Sequence, residues 1–218
     1  MIKNNMKTVS ILFLLLIYSM VSIAQITTVK QALDAIPYSE LPYKNSKGIP
    51  FPVLGEFPVA NTGISDKLYD DVQYTRFINA SSSVDLSPSL YLKIDILNNN
   101  ILGAITFGGA SDYEVDRLFI SDKMGNIKSS LDVSVSFAGI SVKQYQLTKD
   151  YKLIISQLVF SSPILFSRLM TFNGLFKAYR LDTIYSIVNG EFKKEKEIRY
   201  SEKAYSKQQM MDKNTWEL

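Results

Sequence analysis

Apolar and polar positions change their period once along this chain, near Lys67. Before that point Val29, Ala32, Leu33 and Ile36 recur at helical spacing, with Thr27 or Thr28 placed to cap and Pro37 to stop. The spacing therefore predicts a short helix over Thr28–Ile36. Beyond Lys67 the period is two. Leu90, Leu92, Ile94 and Ile96 alternate with Tyr91, Lys93 and Asp95, and Leu131, Val133, Val135 and Phe137 alternate with Asp132, Ser134 and Ser136. Both patterns predict half-buried strands. Asp116–Ser121 runs into the turn Asp122–Asn126. Further strands are expected at Asp71–Ile78, Ile101–Phe107, Ile140–Leu147, Lys152–Phe160, Ile164–Phe172 and Tyr179–Val188.

Turn chemistry orders these strands. Asn189-Gly190 tolerates the positive φ angles of a type I′ turn, so the chain should reverse there. The returning strand, Phe192–Tyr200, carries Lys193, Glu195, Glu197 and Arg199 on one face. A wholly charged face is what an edge strand needs to avoid pairing with another molecule. Nine or ten short strands joined by turns too short for crossover helices imply a mainly β fold: an antiparallel meander forming an up-and-down barrel or a two-sheet sandwich.

The segments outside the meander read differently. Five of the seven prolines (Pro37, Pro42, Pro50, Pro52 and Pro58) fall between the helix and Gly63. Proline lacks a backbone donor, so this stretch is expected as an extended arm anchored by Phe51, Val53, Leu54, Phe57 and Val59. Residues 25–66 then form the short helix and Pro-rich arm, 67–200 the antiparallel β domain, and 201–218 a tail or short helix. Residues 1–24 have the grammar of a secretory signal peptide: Lys3 and Lys7, the apolar run Val9–Tyr18, and Ser22-Ile23-Ala24 before Gln25. The run is short of the roughly 20 residues a spanning helix needs. With no cysteine after Ala24, a lipid anchor is not expected. The mature protein is expected to be periplasmic or secreted, with no membrane span after cleavage.

Composition narrows the chemistry. Histidine and cysteine are both absent from the 218 residues. That removes Ser-His-Asp and Cys-His catalysis, His/Cys zinc sites and disulfides. The leader carries two lysines and no acid, so the formal net charge of +3 falls to +1 without it. No clustered basic surface points to a nucleic-acid partner.

Several segments together, Ala32–Pro37 leading to Leu41-Pro42-Tyr43, then Leu118–Ile127 followed by Ser130–Val133, and Tyr185–Phe192, carry a resemblance. In this order they resemble a loose group of exported, β-rich bacterial proteins that are mostly uncharacterised. The resemblance implies an exported β meander and brings no catalytic or binding residue with it.

Candidate sites are few. Asp112, Glu114 and Asp116 lie two residues apart; on a strand they share a face at roughly 7 Å spacing. In a loop after Gly108-Gly109 they would suit calcium, which takes carboxylate oxygens; the alternative is a solvated strand face. Asp122–Asn126 lacks the alternating acids and distal glutamate of a calcium loop and reads as a hairpin turn. Nothing in their spacing pairs Asp66, Asp70 or Asp71 as acid and base. The thirteen Tyr and twelve Phe are expected mainly to pack between strands, and the lone Trp216 excludes a tryptophan-lined sugar platform. No cofactor is implied beyond that calcium candidate. The expectation is a non-enzymatic exported domain binding an envelope or extracellular ligand or protein. In a sandwich, binding would use end loops such as Phe107–Tyr113 and Ala138–Ile140. The alternatives are a small carboxylate-dependent hydrolase acting on glycan or peptidoglycan, and a subunit of an envelope complex.

Overall fold

A computed structural model describes residues 29–45, 87–108, 113–137, 139–162 and 171–218. The signal-like segment, the arm from residue 46 onward, the expected strand Asp71–Ile78, and Asp66, Asp70, Asp71 and Asp112 lie outside these residues. So does most of the expected strand Ile164–Phe172, whose last two residues, Thr171 and Phe172, are not strand.

The period-two segments form one antiparallel sheet. Its strands are β1 (Tyr43–Lys44), β2 (Ser87–Ile96), β3 (Asn100–Gly108), β4 (Tyr113–Asp122), β5 (Ile127–Phe137), β6 (Ile140–Leu147), β7 (Leu153–Phe160), β8 (Leu175–Val188), β9 (Glu191–Arg199) and β10 (Lys203–Ser206). From β2 to β9 every strand pairs with its successor, while β10 adds to β8 and β1 to β6. The fold is the expected antiparallel meander. It is not closed into a barrel, because β2 at one edge does not meet β9 and β10 at the other.

The sheet divides at one seam. β5 and β6 pair only over Val135–Phe137 and Ile140–Lys143, with an irregularity between Val135 and Ser136. Beyond it β6 is taken up by β1, through Tyr43 opposite Leu147 and Lys44 opposite Gln146. The freed carbonyl of Asp132 accepts from Lys143 Nζ at 2.5 Å. This split lets the β2–β5 leaf and the β6–β9 leaf face each other over a single core. Leu92, Ile94, Leu102, Leu118, Ile120 and Val133 from one leaf pack with Tyr145, Leu147, Leu153 and Ile155 from the other.

The outer face of the second leaf is covered by the carboxy-terminal segment. β10 pairs with Leu175–Ala178 of β8. Helix α1 spans Val29–Asp34, and helix α2 spans Lys207–Asp212. Ser206 and Gln209 form a capping box on α2, satisfying two donors that a helix start otherwise leaves open. Tyr205, Met210 and Leu218 then bury against Ile140, Leu158, Phe176 and Ala178. Period-two alternation is absent from residues 203–206 because four residues are too few to display it.

On the first leaf, α1 takes the place of solvent. Lys93, which alternation puts on the wet face of β2, is 6% exposed. Its ammonium donates to Leu33 O at 2.8 Å and lies 4.1 Å from the centroid of the Tyr38 ring. A helix C-terminus and an aromatic face both favour a cation there. Tyr91 is buried for another reason: the β2–β3 register shifts between Leu90 and Leu92 and turns it inward.

Gly103 has a specific duty. It sits opposite Phe119 in the β3–β4 ladder, and a Cβ there would come within 2.3 Å of that ring. Phe119 is fully buried and cannot swing away. Gly103→Ala should therefore destabilise the fold by about 1–3 kcal/mol in urea unfolding. The penalty should shrink in a Phe119→Leu background; an equal penalty in both backgrounds contradicts the packing described.

Candidate functional site

Of the three carboxylates singled out in the sequence, two can be placed. Glu114 and Asp116 lie on the same face of β4. Their neighbours on β3 are Gly108 and Thr106, and on β5 Ser136 and Ser134. Glu114 is exposed and accepts from Ser136 Oγ at 3.3 Å. Asp116 is 3% exposed and turned into the core. Among the described residues no group of three or more His, Cys, Asp or Glu is placed to hold a metal ion. Asp122 instead closes its turn, accepting from Met124 N and Asn126 N at 2.8 and 3.0 Å. The Asn126 side-chain amide, which donates to the same carboxylate at 2.8 Å, and then these backbone bonds hold its carboxyl below the usual carboxylate value.

Asp116 belongs to a polar plug at the seam. Asn45, directly after β1, donates its side-chain amide to Asp116 and its backbone N–H to Tyr145 O. Tyr91 and Tyr145 share a hydroxyl–hydroxyl bond of 2.8 Å, and the Tyr43 ring lies 5.9 Å from that of Tyr145. Gln144 completes the plug from the far side of β6. Its amide donates to Asn45 O and Asn214 Oδ1, and its oxygen accepts from Thr215 N and Oγ1. A fully satisfied buried amide thus ties arm to tail.

The electrostatics follow from burial. Desolvation pushes the Asp116 carboxyl up to about 6; Thr106, Ser134 and Asn45 pull it down and the Glu114 charge adds to the rise. Burial, then the Asp116 charge, raises Tyr43 to about 12 and holds Tyr91 well above the ordinary phenol value; burial, then Tyr43 and Asp116, does the same for Tyr145. The three tyrosines are neutral hydroxyls at any physiological pH. Asp116, Tyr91 and Tyr145 are buried and, with half-buried Tyr43, hold the seam together.

Among the described residues, two accessible grooves lie at the end of the sheet that carries the β2–β3, β4–β5, β6–β7 and β8–β9 turns. Asn98 and Asn99 take φ of 64° and 58°, and Asn189 and Gly190 take 55° and 82°. These are the paired positive values of tight hairpins, and the second is the reversal expected from Asn-Gly. In the β6–β7 turn Thr148 bonds back to Lys152, and Tyr151 is left with φ of 60°. Tyr151 is the wall between two shallow grooves. The larger, about 310 Å³, is bounded by Tyr38, Ser39, Leu41, Ile94, Asp95 and Lys149. The smaller, about 150 Å³, lies between Ile96–Asn98 and Ile187–Gly190. Around them Tyr38, Leu97 and Val188 are 55%, 67% and 44% exposed.

The end loops expected to bind, Phe107–Tyr113 and Ala138–Ile140, lie at the opposite end of the meander, with residues 109–112 and 138 outside the described set. Tyr38, Tyr43, Asn45, Tyr91, Tyr145 and Tyr151 were not legible as site residues. Aromatic content is the one signal that pointed toward them, and it does not separate packing from recognition. Comparison of the chain with protein-family models, with curated proteins and with solved structures finds no match.

The raised Asp116 carboxyl has a measurable consequence. A folded-state value above the ordinary 3.8 means that the folded chain holds this proton more tightly than the unfolded one. The stability gained is complete below about 3.8 and is lost as pH rises through about 6, roughly 3 kcal/mol in all. Histidine ordinarily titrates in this interval, and the chain has none. The melting temperature should therefore rise as pH falls from about 7 to about 5. Asp116→Asn should flatten that dependence and be the more stable form at neutral pH. A melting temperature that falls over the same interval contradicts the burial of Asp116.

Proposed function

We propose that this chain is an exported, non-enzymatic binding domain that engages its ligand or partner with the turn-bearing end of its folded sheet. The observation that carries it is the pair of grooves meeting at Tyr151, built by turns whose conformations the strands fix. Binding residues commonly sit on loops positioned by such a scaffold. The amino-terminal segment supports export, with its basic start, short apolar run and small residues before Gln25. No helix of the described residues is long and apolar enough to cross a membrane.

A carboxylate-dependent hydrolase needs two acids facing one cleft, about 5–10 Å apart. Among the described residues Asp95 is the single carboxylate bordering either groove, and Asp116 is buried away from both. These placements favour binding over hydrolysis.

Export is tested by amino-terminal sequencing of the protein recovered from the periplasm or medium of cells expressing the whole chain. Gln25 is the expected first residue, and a cytoplasmic product beginning at Met1 contradicts export. Binding is tested by melting that exported product with calcium, EDTA, oligosaccharides, fatty acids and bile acids. One class should raise the melting temperature, by about 2.7 kcal/mol of stability at a hundredfold excess over its dissociation constant. The shift should disappear in Tyr38→Ala. A shift that survives this change places binding elsewhere.

A further inference from the structure

We infer that the larger groove is a saccharide site, taking a neutral oligosaccharide that stacks on Tyr38 and crosses Tyr151 into the smaller groove. This rests on the binding-domain reading above and names its ligand. The observations are of three kinds.

The first is shape. Both grooves are shallow and open along the turn end, so neither encloses an apolar chain from water as a fatty-acid or sterol site must. A polyhydroxylated ring, wet on one side and bound on the other, needs no enclosure. Because the grooves share Tyr151, a linear ligand runs from one to the other across a single side chain.

The second is the set of polar groups. Asp95 accepts, Lys149 donates and Ser39 does both, which is what sugar hydroxyls require. The formal charges of Asp95 and Lys149 cancel, so the groove prefers neither anion nor cation. Among the described residues both side chains are exposed, and neither forms an ion pair with the other or with a third group. Asn98 offers a further donor and acceptor in the smaller groove.

The third is the state of the aromatic ring. Tyr38 is 55% exposed, yet buried Lys93 lies 4.1 Å from its centroid and is itself tied to Leu33 O. The cation holds the inner face of the ring and leaves the outer face to solvent. A large aromatic surface fixed before binding gives contact at little cost in ordering.

The test is an NMR titration of the exported protein with maltohexaose, cellohexaose, xylohexaose and chitohexaose, and separately with palmitate. The inference expects at least one oligosaccharide to shift the amides of Tyr38, Asp95 and Tyr151 saturably, with little effect of added salt. Tyr38→Ala and Asp95→Ala should each weaken that binding about tenfold, while Lys193→Ala, on exposed β9, leaves it unchanged. Oligosaccharide binding that neither variant weakens overturns the site. Palmitate shifting Tyr151 while no oligosaccharide does so overturns the ligand class and leaves the binding-domain reading standing. No shift at Tyr38 or Tyr151 with any of these probes overturns the saccharide inference, and a melting temperature unmoved by every ligand class removes the small-ligand form of the wider reading as well.

Discussion

The short pairing between β5 and β6 is the constraint on which the rest of this structure depends. An eight-stranded meander paired along its full length and not closed into a barrel would be one open, twisted sheet, with an apolar face bare to water. Ending the β5–β6 ladder after Lys143 lets the two leaves fold toward each other and bury that face between them. The cost is a set of unpaired backbone groups at the seam, each expensive if left dry. β1 pairs with the freed part of β6, Lys143 takes the Asp132 carbonyl, and Arg117 holds the Asp132 carboxylate with two nitrogens. Asn45 and Gln144 close what remains.

This solution joins parts of the chain that are remote in sequence. Gln144 bonds to Asn45 on one side and to Asn214 and Thr215 on the other, so arm, sheet and tail meet at a single amide. It also separates duties. The buried acid and its tyrosines belong to the seam, where burial makes them stiff and costly to ionise. The turn end carries no such burden, and Tyr38, Leu97 and Val188 stand exposed there. Lys93 links the two regions by joining α1 to β2 and bracing the Tyr38 ring.

Local features of this fold were legible in the sequence because their causes are local. Alternation located β3, β6, β7 and β9 within about two residues, and β2 except for its first three. Asn189-Gly190 located its hairpin, and the charged face of Lys193–Arg199 located an exposed edge strand. What did not show were pairings between distant segments. Tyr43-Lys44 is two residues long and becomes a strand because β6 has a vacant edge; Lys203–Ser206 becomes one because β8 outruns β9. Asp116 sat in a row of alternating acids that reads as a wet face, and only the fold-over of the leaves buries it. Exposed Tyr38 and half-buried Tyr151 were likewise invisible among many packing aromatics.

Sealing of that seam around Asp116 is open to direct measurement. Its side-chain carboxyl carbon can be followed by carbon-13 NMR across a pH titration of the whole chain. The structure predicts a midpoint at about 6, with the Asn45 side-chain amide moving in step because it donates to the same carboxyl. A midpoint near the ordinary 3.8, with Asn45 indifferent to it, would mean an Asp116 open to water and a seam that the polar plug does not close.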